Sequence, residues 1–253
     1  DIPPYLNWQR DLAWSAVRRA DAVVCPSSFL AQEIARANEL ERTPTTVHNG
    51  VMPLPELSEL IEREPRLAVV VGRAWDEAKN IALVAEMLHT LDSGWEVVVA
   101  GDLVEPGRAP VPAHQAPGLQ YAGFLDKDQL SKLFRRASLF IAPSRYEPFG
   151  LAAVEAALCG CAIVANDLPS YHEVWGDAAT YFARNDPRSL AMCLDRLAAD
   201  LAEVARLSRA AHDRASSRYT VEQMVDGYVA LYRRQRWTSH SGRLPAEPLT
   251  HHR

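Results

Sequence analysis

The sequence contains no hydrophobic run close to the roughly 20 residues that a membrane-spanning helix needs, and no secretory signal pattern. Cysteine is scarce, with four residues in 253, and Cys159 and Cys161 have neither zinc-ribbon nor thioredoxin spacing. These absences argue against a membrane span and a disulfide framework. They predict buried, reduced cysteines in a cytoplasmic protein.

Several catalytic and nucleotide-binding fingerprints are also missing. The chain has no G-x-G-x-x-G, no G-x-x-x-x-G-K-[ST] and no G-x-S-x-G. It therefore lacks the signatures of a dinucleotide-binding oxidoreductase, a P-loop enzyme and a serine hydrolase of the α/β type. The net charge of -5 weighs against nucleic acid as the main partner. The basic run RRQRW (233–237) is interpreted as the polar end of a helix.

From residue 66 onward, short β-branched apolar runs alternate with segments of helical periodicity. Strands are predicted in RLAVVVG, WEVVVAGD, LQYAGFL, SLFIAPS, CAIVAND and ATYFA. Nearly continuous apolar strands alternating with helices are typical of a parallel sheet covered on both faces. The sequence therefore predicts an α/β fold with a Rossmann-like, doubly wound domain over residues 66–220. A helix at 221–237 and a flexible tail at 238–253 follow.

The first 50 residues are predicted to form two helices and two strands, the closing part of a second Rossmann-like domain. Two strands of this kind do not make a stable sheet alone. The chain also begins with Asp1 rather than Met, so we expect a preceding segment or a partner chain to complete the unit. Residues 51–65 are interpreted as the linker between the two domains.

The segment RYEPFGLAAVEAALCG places an acid on each side of a helix start. Glu147 precedes the helix and Glu155 lies more than one turn inside it. The N–H groups of Phe149, Gly150 and Leu151 lack intrahelical partners at the positive end of the helix dipole, where a phosphate fits. The two acids then bracket the phosphate and accept hydrogen bonds from hydroxyls. The alternative is a dipole-stabilising Glu147 and a surface Glu155.

A second group of polar residues follows the first strand of this domain. Gly72 and Arg73 come directly after that strand, and Lys79 lies at the start of the next helix. Both loops are predicted at the carboxyl edge of the sheet, where open α/β folds bind ligands. A guanidinium and an ammonium group at that edge suit a diphosphate. The alternative is a pair of solvated surface cations.

Asp126-Lys127-Asp128 resembles a metal-binding D-x-D motif. These residues directly precede the helical segment QLSKLFRRA, where Asp126 or Asp128 serves as an N-cap. The sequence therefore predicts helix capping here, and no metal site.

Taken together, G-R-x(n)-K-N after one strand and P-S-x-x-E-P-F-G-L-x-x-x-E-A after a later one resemble the retaining glycosyltransferases of the GT-B fold. This group, of the family 4 type, includes glycogen synthase and sucrose synthase. The resemblance is dense over residues 66–232 and weaker over 14–50. It implies that this chain holds the donor-binding domain and the end of the first domain, with the last helix crossing back onto the latter.

The resemblance also implies roles for the site residues. Arg73 and Lys79 would hold the donor diphosphate, next to Gly72. Glu147 would face the sugar hydroxyls, while the backbone at 149–151 would contact phosphate and sugar.

The nucleoside end of the donor is assigned in the same way. Glu155 would bind the ribose, and Phe124 and Leu125 would lie near the base. The group needs no metal and no cofactor, because the nucleoside diphosphate sugar is itself the donor substrate.

The implied reaction moves a sugar from a nucleoside diphosphate to an unknown acceptor, with retention at the anomeric carbon. Glu147 is expected to position the sugar and not to attack it. In this group the first domain supplies the acceptor pocket, and most of that domain is missing from the sequence. The alternative is therefore a non-catalytic subunit that binds a nucleotide sugar or acts as a scaffold.

Overall fold

The computed structural model describes residues 7–52, 62–91, 94–107 and 113–234. Its strands are β1 (Val24–Cys25), β2 (Thr45–Thr46), β3 (Glu64–Val71), β4 (Glu96–Ala100), β5 (Leu119–Gly123), β6 (Ala137–Ala142), β7 (Ala162–Asn166) and β8 (Ala179–Phe182). Its helices are α1 (Asn7–Arg19), α2 (Ser28–Ala37), α3 (Ile81–Thr90), α4 (Lys127–Arg136), α5 (Leu151–Leu158), α6 (Pro169–Trp175), α7 (Pro187–Ala199), α8 (Leu201–Arg218) and α9 (Val221–Arg234).

The main sheet has six parallel strands in the order β5-β4-β3-β6-β7-β8. The chain starts in the middle at β3, builds outward through β4 and β5, and then returns to place β6 on the other side of β3. The strand order therefore reverses between β3 and β6, which is where open α/β sheets form a ligand crevice. This topology confirms the predicted doubly wound, Rossmann-like fold.

Both faces of the sheet are buried, because alternate residues of each strand point to opposite sides. In β3, Leu67 and Val69 belong to a core with α4, α5, α6 and α8. Ala68 and Val70 belong to the opposite core, with α3, α7 and the start of α8. All four side chains are at most 2% exposed. Burial on both faces explains why the strands are apolar throughout, without the alternation of a half-exposed strand.

Helix α6 was not predicted from the periodicity of the sequence. It has seven residues with Pro169 in its first turn, and a span that short shows barely two turns of apolar spacing. Two boundaries also differ from the prediction. Strand β3 begins at Glu64, inside the expected linker, and β1 and β2 are two residues long. Residues 53–61 of the linker, 235–237 of the last helix and the tail at 238–253 lie outside the described residues.

The first part of the chain packs against the domain of the six-stranded sheet through α2 and α6. β1 and β2 pair in parallel, with Val24 opposite Thr45. The carboxylate of Glu173 in α6 accepts hydrogen bonds from the N–H groups of Ser28 (2.7 Å) and Phe29 (2.9 Å). A negative charge at this helix start satisfies two donors that have no intrahelical partner and opposes the helix dipole.

The same two parts also meet through an aromatic cluster formed by His48, Phe149, Trp175 and Tyr219. The rings of His48 and Phe149 stack with centroids 6.0 Å apart, and Tyr219 meets both edge-on. The Tyr219 carbonyl accepts from the N–H of Val51 at 2.8 Å. This cluster joins His48, which lies just after β2, to Tyr219, which lies between α8 and α9. Within the described part of the chain, every helix is too short or too polar to cross a bilayer.

We predict that Glu173→Ala weakens the attachment of α2, because two helix-start N–H groups lose their acceptor. The free energy of unfolding should fall by about 1 to 2 kcal/mol. Denaturant titration measures this loss, and amide hydrogen exchange should accelerate at Ser28 and Phe29. The matched control is Glu86→Ala, an exposed glutamate in α3, with an expected change within about 0.5 kcal/mol. Equal effects of the two substitutions would contradict the capping role.

Candidate functional site

A cavity of about 540 Å³ opens at the carboxyl edge of the sheet, where the strand order reverses between β3 and β6. Its wall comes from β3 and β6 with the loops that follow them, from the start of α5, and from a few residues of other elements. Seven of the predicted site residues line it: Gly72, Arg73, Lys79, Glu147, Phe149, Gly150 and Leu151. The wall also contains residues that the sequence reasoning did not select, among them Pro26, Asn49 and Tyr171.

The start of α5 forms one side of the cavity. Gly150 is the N-cap in the left-handed region, with φ of 88°, and no side chain caps the helix. Among the described residues, the N–H groups of Phe149, Gly150 and Leu151 have no acceptor. They therefore offer unsatisfied donors at the positive end of a helix, an arrangement that favours an anion.

The loop after β3 supplies two cations on the opposite side, and each is already paired. Lys79 Nζ lies 2.8 Å from Glu147 Oε2, so an ion pair spans the crevice between the two loops. Arg73 binds Asp76 at 2.5 Å, and its guanidinium lies 4.9 Å from the centre of the Trp75 ring. An incoming diphosphate would share or replace these carboxylate partners. Gly72 allows the Lys79 stem to pass close by, since a Cβ there would lie 3.0 Å from it.

Side-chain amides hold these loops in place. Asn80 Nδ2 donates to the Pro143 carbonyl (3.0 Å) and to Asn185 Oδ1 (3.2 Å). Asn166 Nδ2 donates to the same Asn185 oxygen (3.0 Å), and Asn166 Oδ1 accepts from the Asn185 N–H (3.0 Å). Three asparagines therefore tie the loops after β3, β6 and β8 to one another and to the end of β7.

Asn80 follows Lys79 in the K-N motif of the sequence, but no role was predicted for Asn166 or Asn185. An asparagine close to the carboxyl end of three different strands was the available signal. Asn80 and Asn185 also have positive φ, of 56° and 57°, a conformation that asparagine tolerates better than most residues. The backbone thus gives a second reason for asparagine at these two positions.

Tyr171 closes the floor of the cavity and is 2% exposed. Burial, with the Glu147 charge as a smaller contribution, raises the pKa of its phenol, although a hydrogen bond with Ser144 acts in the opposite direction. The hydroxyl is therefore neutral at physiological pH. It belongs to the packing that supports Gly150, whose hypothetical Cβ would lie 3.3 Å from the Tyr171 ring.

Three predicted site residues do not line the cavity. Phe124 is 75% exposed, Leu125 packs partly against the core, and Glu155 is half-buried in α5. Burial raises the pKa of the Glu155 carboxyl, and the nearby charge of Lys127 partly offsets this. Because Lys127 follows Phe124 and Leu125 closely, these residues share one neighbourhood beside the cavity, near the start of α4.

Asp126 acts as a helix cap, as predicted. Its side chain accepts from the N–H of Gln129 at 2.8 Å, and the Gln129 side chain accepts from the N–H of Asp126 at 3.0 Å. This reciprocal pair is a capping box at the start of α4. Helix capping therefore accounts for the first acid of the D-x-D sequence.

Comparison with known proteins identifies the family. Residues 57–214 match the model of glycosyl transferases group 1, so the chain belongs to this family. It is 31% identical over 230 residues to glycogen synthase of Mycobacterium tuberculosis, which covers 85% of this chain and 55% of that protein. The chain spans about half the length of the curated relatives it matches.

Solved structures with the same fold agree. Sucrose-phosphate synthase from Thermosynechococcus elongatus superposes with a TM-score of 0.72 at 19% identity, covering 90% of this chain and 61% of that chain. Anabaena Alr3699/HepE, determined in complex with UDP-glucose, gives 0.72 at 18% identity and covers 88% of this chain and 67% of that chain. The predicted GT-B family and fold are confirmed.

We predict that Gly150→Ala destabilises the protein more than Gly107→Ala does. Both glycines have positive φ, of 88° and 78°, and each substitution should cost about 1 to 2 kcal/mol of backbone strain. At Gly150 the new methyl group would also press on the Tyr171 ring, whereas at Gly107 no described residue apart from its chain neighbours comes within 4 Å of the hypothetical Cβ. Thermal and denaturant unfolding compare the two. An equal or smaller loss at Gly150 would contradict tight packing at the helix start.

We predict that the stability of Glu155→Gln, relative to the unsubstituted protein, increases as the pH rises from about 4 to about 7. The folded-state pKa of Glu155 is raised. The stability that protonated Glu155 contributes to the folded protein is therefore lost as the pH rises through that pKa. The neutral amide avoids this loss. Denaturant midpoints of both proteins across the pH range measure the difference, with exposed Glu86→Gln as the control. A difference that is flat or falls with pH would refute the desolvation of Glu155.

Proposed function

We propose that this chain is the donor-binding half of a retaining glycosyltransferase, which transfers a sugar from a nucleoside diphosphate sugar to an acceptor. The observation that carries the proposal is the arrangement at the crevice between β3 and β6. Two cations from one loop face the uncapped start of α5 across a single cavity. Positive charge and free backbone N–H groups in such a crevice suit a diphosphate.

The catalytic contribution of these groups is electrostatic. As the bond between sugar and diphosphate breaks, negative charge grows on the leaving phosphate. Arg73, Lys79 and the N–H groups at the start of α5 already face this crevice, and they stabilise the charge as the diphosphate shares or replaces the carboxylate partners of the two cations. Glu147 is the acid nearest to Lys79 and is proposed to accept hydrogen bonds from the sugar hydroxyls. Its role is to position the sugar.

The nucleoside is proposed to extend from the cavity toward the start of α4. Glu155 would accept hydrogen bonds from the ribose hydroxyls, with Phe124 and Leu125 near the base. Their shared neighbourhood beside Lys127 supports this direction. UDP-glucose in the Alr3699/HepE structure supports a nucleotide sugar as the donor class.

The acceptor side is proposed to come from a longer first domain, in the same protein or in a partner chain. The matched part of this chain covers 48% and 55% of two curated relatives, and α1, β1, α2 and β2 supply a unit with a two-stranded sheet. We also propose that transfer needs no metal and takes place in the cytoplasm. The competing function is a subunit that binds the nucleotide sugar without transferring it.

Calorimetric titration with UDP, GDP and ADP, without metal and in EDTA, tests the donor site. We expect one nucleotide to bind. Lys79→Met should then weaken its binding by about tenfold or more, because a charge-assisted hydrogen bond to phosphate is lost. Arg73→Ala should act in the same direction. The matched control is Lys132→Met, an exposed lysine of α4, which should leave the affinity unchanged.

Two results would overturn the proposal. One is that no nucleotide binds to the folded protein. The other is that binding is indifferent to Lys79 and Arg73. If binding is confirmed, the formation of glycosidic product from the bound donor separates an enzyme from a non-catalytic subunit, and its anomeric configuration tests retention.

A further inference from the structure

A second cavity, of about 250 Å³, lies on the other side of Glu147. It is built by helix α2, the loop after β6, the start of α6 and Arg184. Its polar lining consists of Glu33, Arg145, Tyr146, Glu147, Ser170 and Arg184. Glu147 lines both cavities, so a ligand here would lie next to a sugar that Glu147 positions.

The charges of this second cavity are not balanced. Glu33 pairs with Arg36 on its own helix, and Glu147 pairs with Lys79. In contrast, neither Arg145 nor Arg184 has a carboxylate partner among the described residues. Both carboxylates are therefore already neutralised by other cations, and the two guanidinium groups carry the uncompensated charge.

The asparagine network described above binds Arg145 directly and adjoins Arg184 along the chain. Arg145 Nε donates to Asn80 Oδ1 at 3.1 Å, and the terminal nitrogens of Arg145 make no hydrogen bond to the residues that the structure describes. Arg184 directly precedes Asn185, whose backbone and side chain are both held by Asn166. Arg145 and Arg184 thus bring two planar cationic groups to one small pocket, and a buried amide orients Arg145.

Neutral hydroxyls complete the lining. Ser170 is 1% exposed, and its hydroxyl has no hydrogen-bond partner among the described residues. Burial, and after it the charges of Glu33, Glu147 and Cys25, raise the pKa of the Tyr146 phenol, so its O–H remains a donor. Donors and cations together favour an anion with several oxygen atoms.

We propose that this cavity binds a phosphate group carried by the acceptor, held by Arg145 and Arg184. The inference rests on the proposed function, because it needs the acceptor to lie beside Glu147. A phosphate dianion offers three oxygens to two guanidinium groups, whereas a carboxylate offers two oxygens and one charge. The acceptor class that follows is a phosphate monoester, such as a phosphorylated sugar or polyol.

The test is NMR of arginine Nε–H groups during titration with inorganic phosphate, with UDP saturating the first cavity. Signals of Arg145 and Arg184 should shift, and that of Arg188, an exposed arginine of α7, should not. Arg184→Leu should weaken phosphate binding by about tenfold or more. Arg145→Lys should weaken it less, since it keeps the charge but loses the planar fork. Arg188→Leu is the matched control, and acetate at equal ionic strength should bind much more weakly.

The proposal is overturned if Arg184→Leu and Arg188→Leu bind phosphate equally well, or if acetate binds as well as phosphate. Its failure is distinct from that of the donor site. UDP affinity should be weakened in Lys79→Met and kept in Arg184→Leu. If UDP does not bind the unmodified protein, the proposed function fails, while the phosphate titration without UDP still decides whether Arg184 holds an anion.

Discussion

The side-chain amides of Asn80, Asn166 and Asn185 meet at the carboxyl edge of the sheet, and the loops that form both cavities are anchored to them. Asn80 and Asn166 are at most 3% exposed. Leaving a buried amide without its partner costs about 1 to 3 kcal/mol. No single loop can therefore move away cheaply, and the cations of the crevice keep their relative positions.

In the first cavity, both cationic side chains form ion pairs with carboxylates of this chain. Lys79 bridges to Glu147, and Arg73 binds Asp76 beside Trp75. Pairing spares a half-buried ammonium group the cost of isolation, and it places Glu147 next to the group that would receive the diphosphate. The same pairing removes Glu147 as a partner for Arg145. The ion pair of Lys79 and Glu147 thus affects the charge balance of both cavities.

The two parts of the chain depend on each other at Phe149. This residue lines the first cavity and also stacks on His48, which lies just after β2. Glu173 joins the parts a second time by capping α2. The start of α5 is therefore supported from the first part of the chain as well as from its own domain. A ligand that depends on that helix start also depends on how the two parts pack.

The sequence alone determined the alternation of strands and helices, the doubly wound fold and the two loops that carry Arg73, Lys79 and Glu147. These features are local, because the apolar period and the position of a residue after a strand can be read along the chain. Only the tertiary structure decided which side chains meet. It brought Asn80, Asn166 and Asn185 together and paired Lys79 with Glu147. It also left Arg184 without a carboxylate partner in the described part of the chain, and it kept Glu155 and Phe124 out of the cavity wall. Those contacts join residues far apart in sequence, and they follow from strand order and packing, which no local pattern encodes.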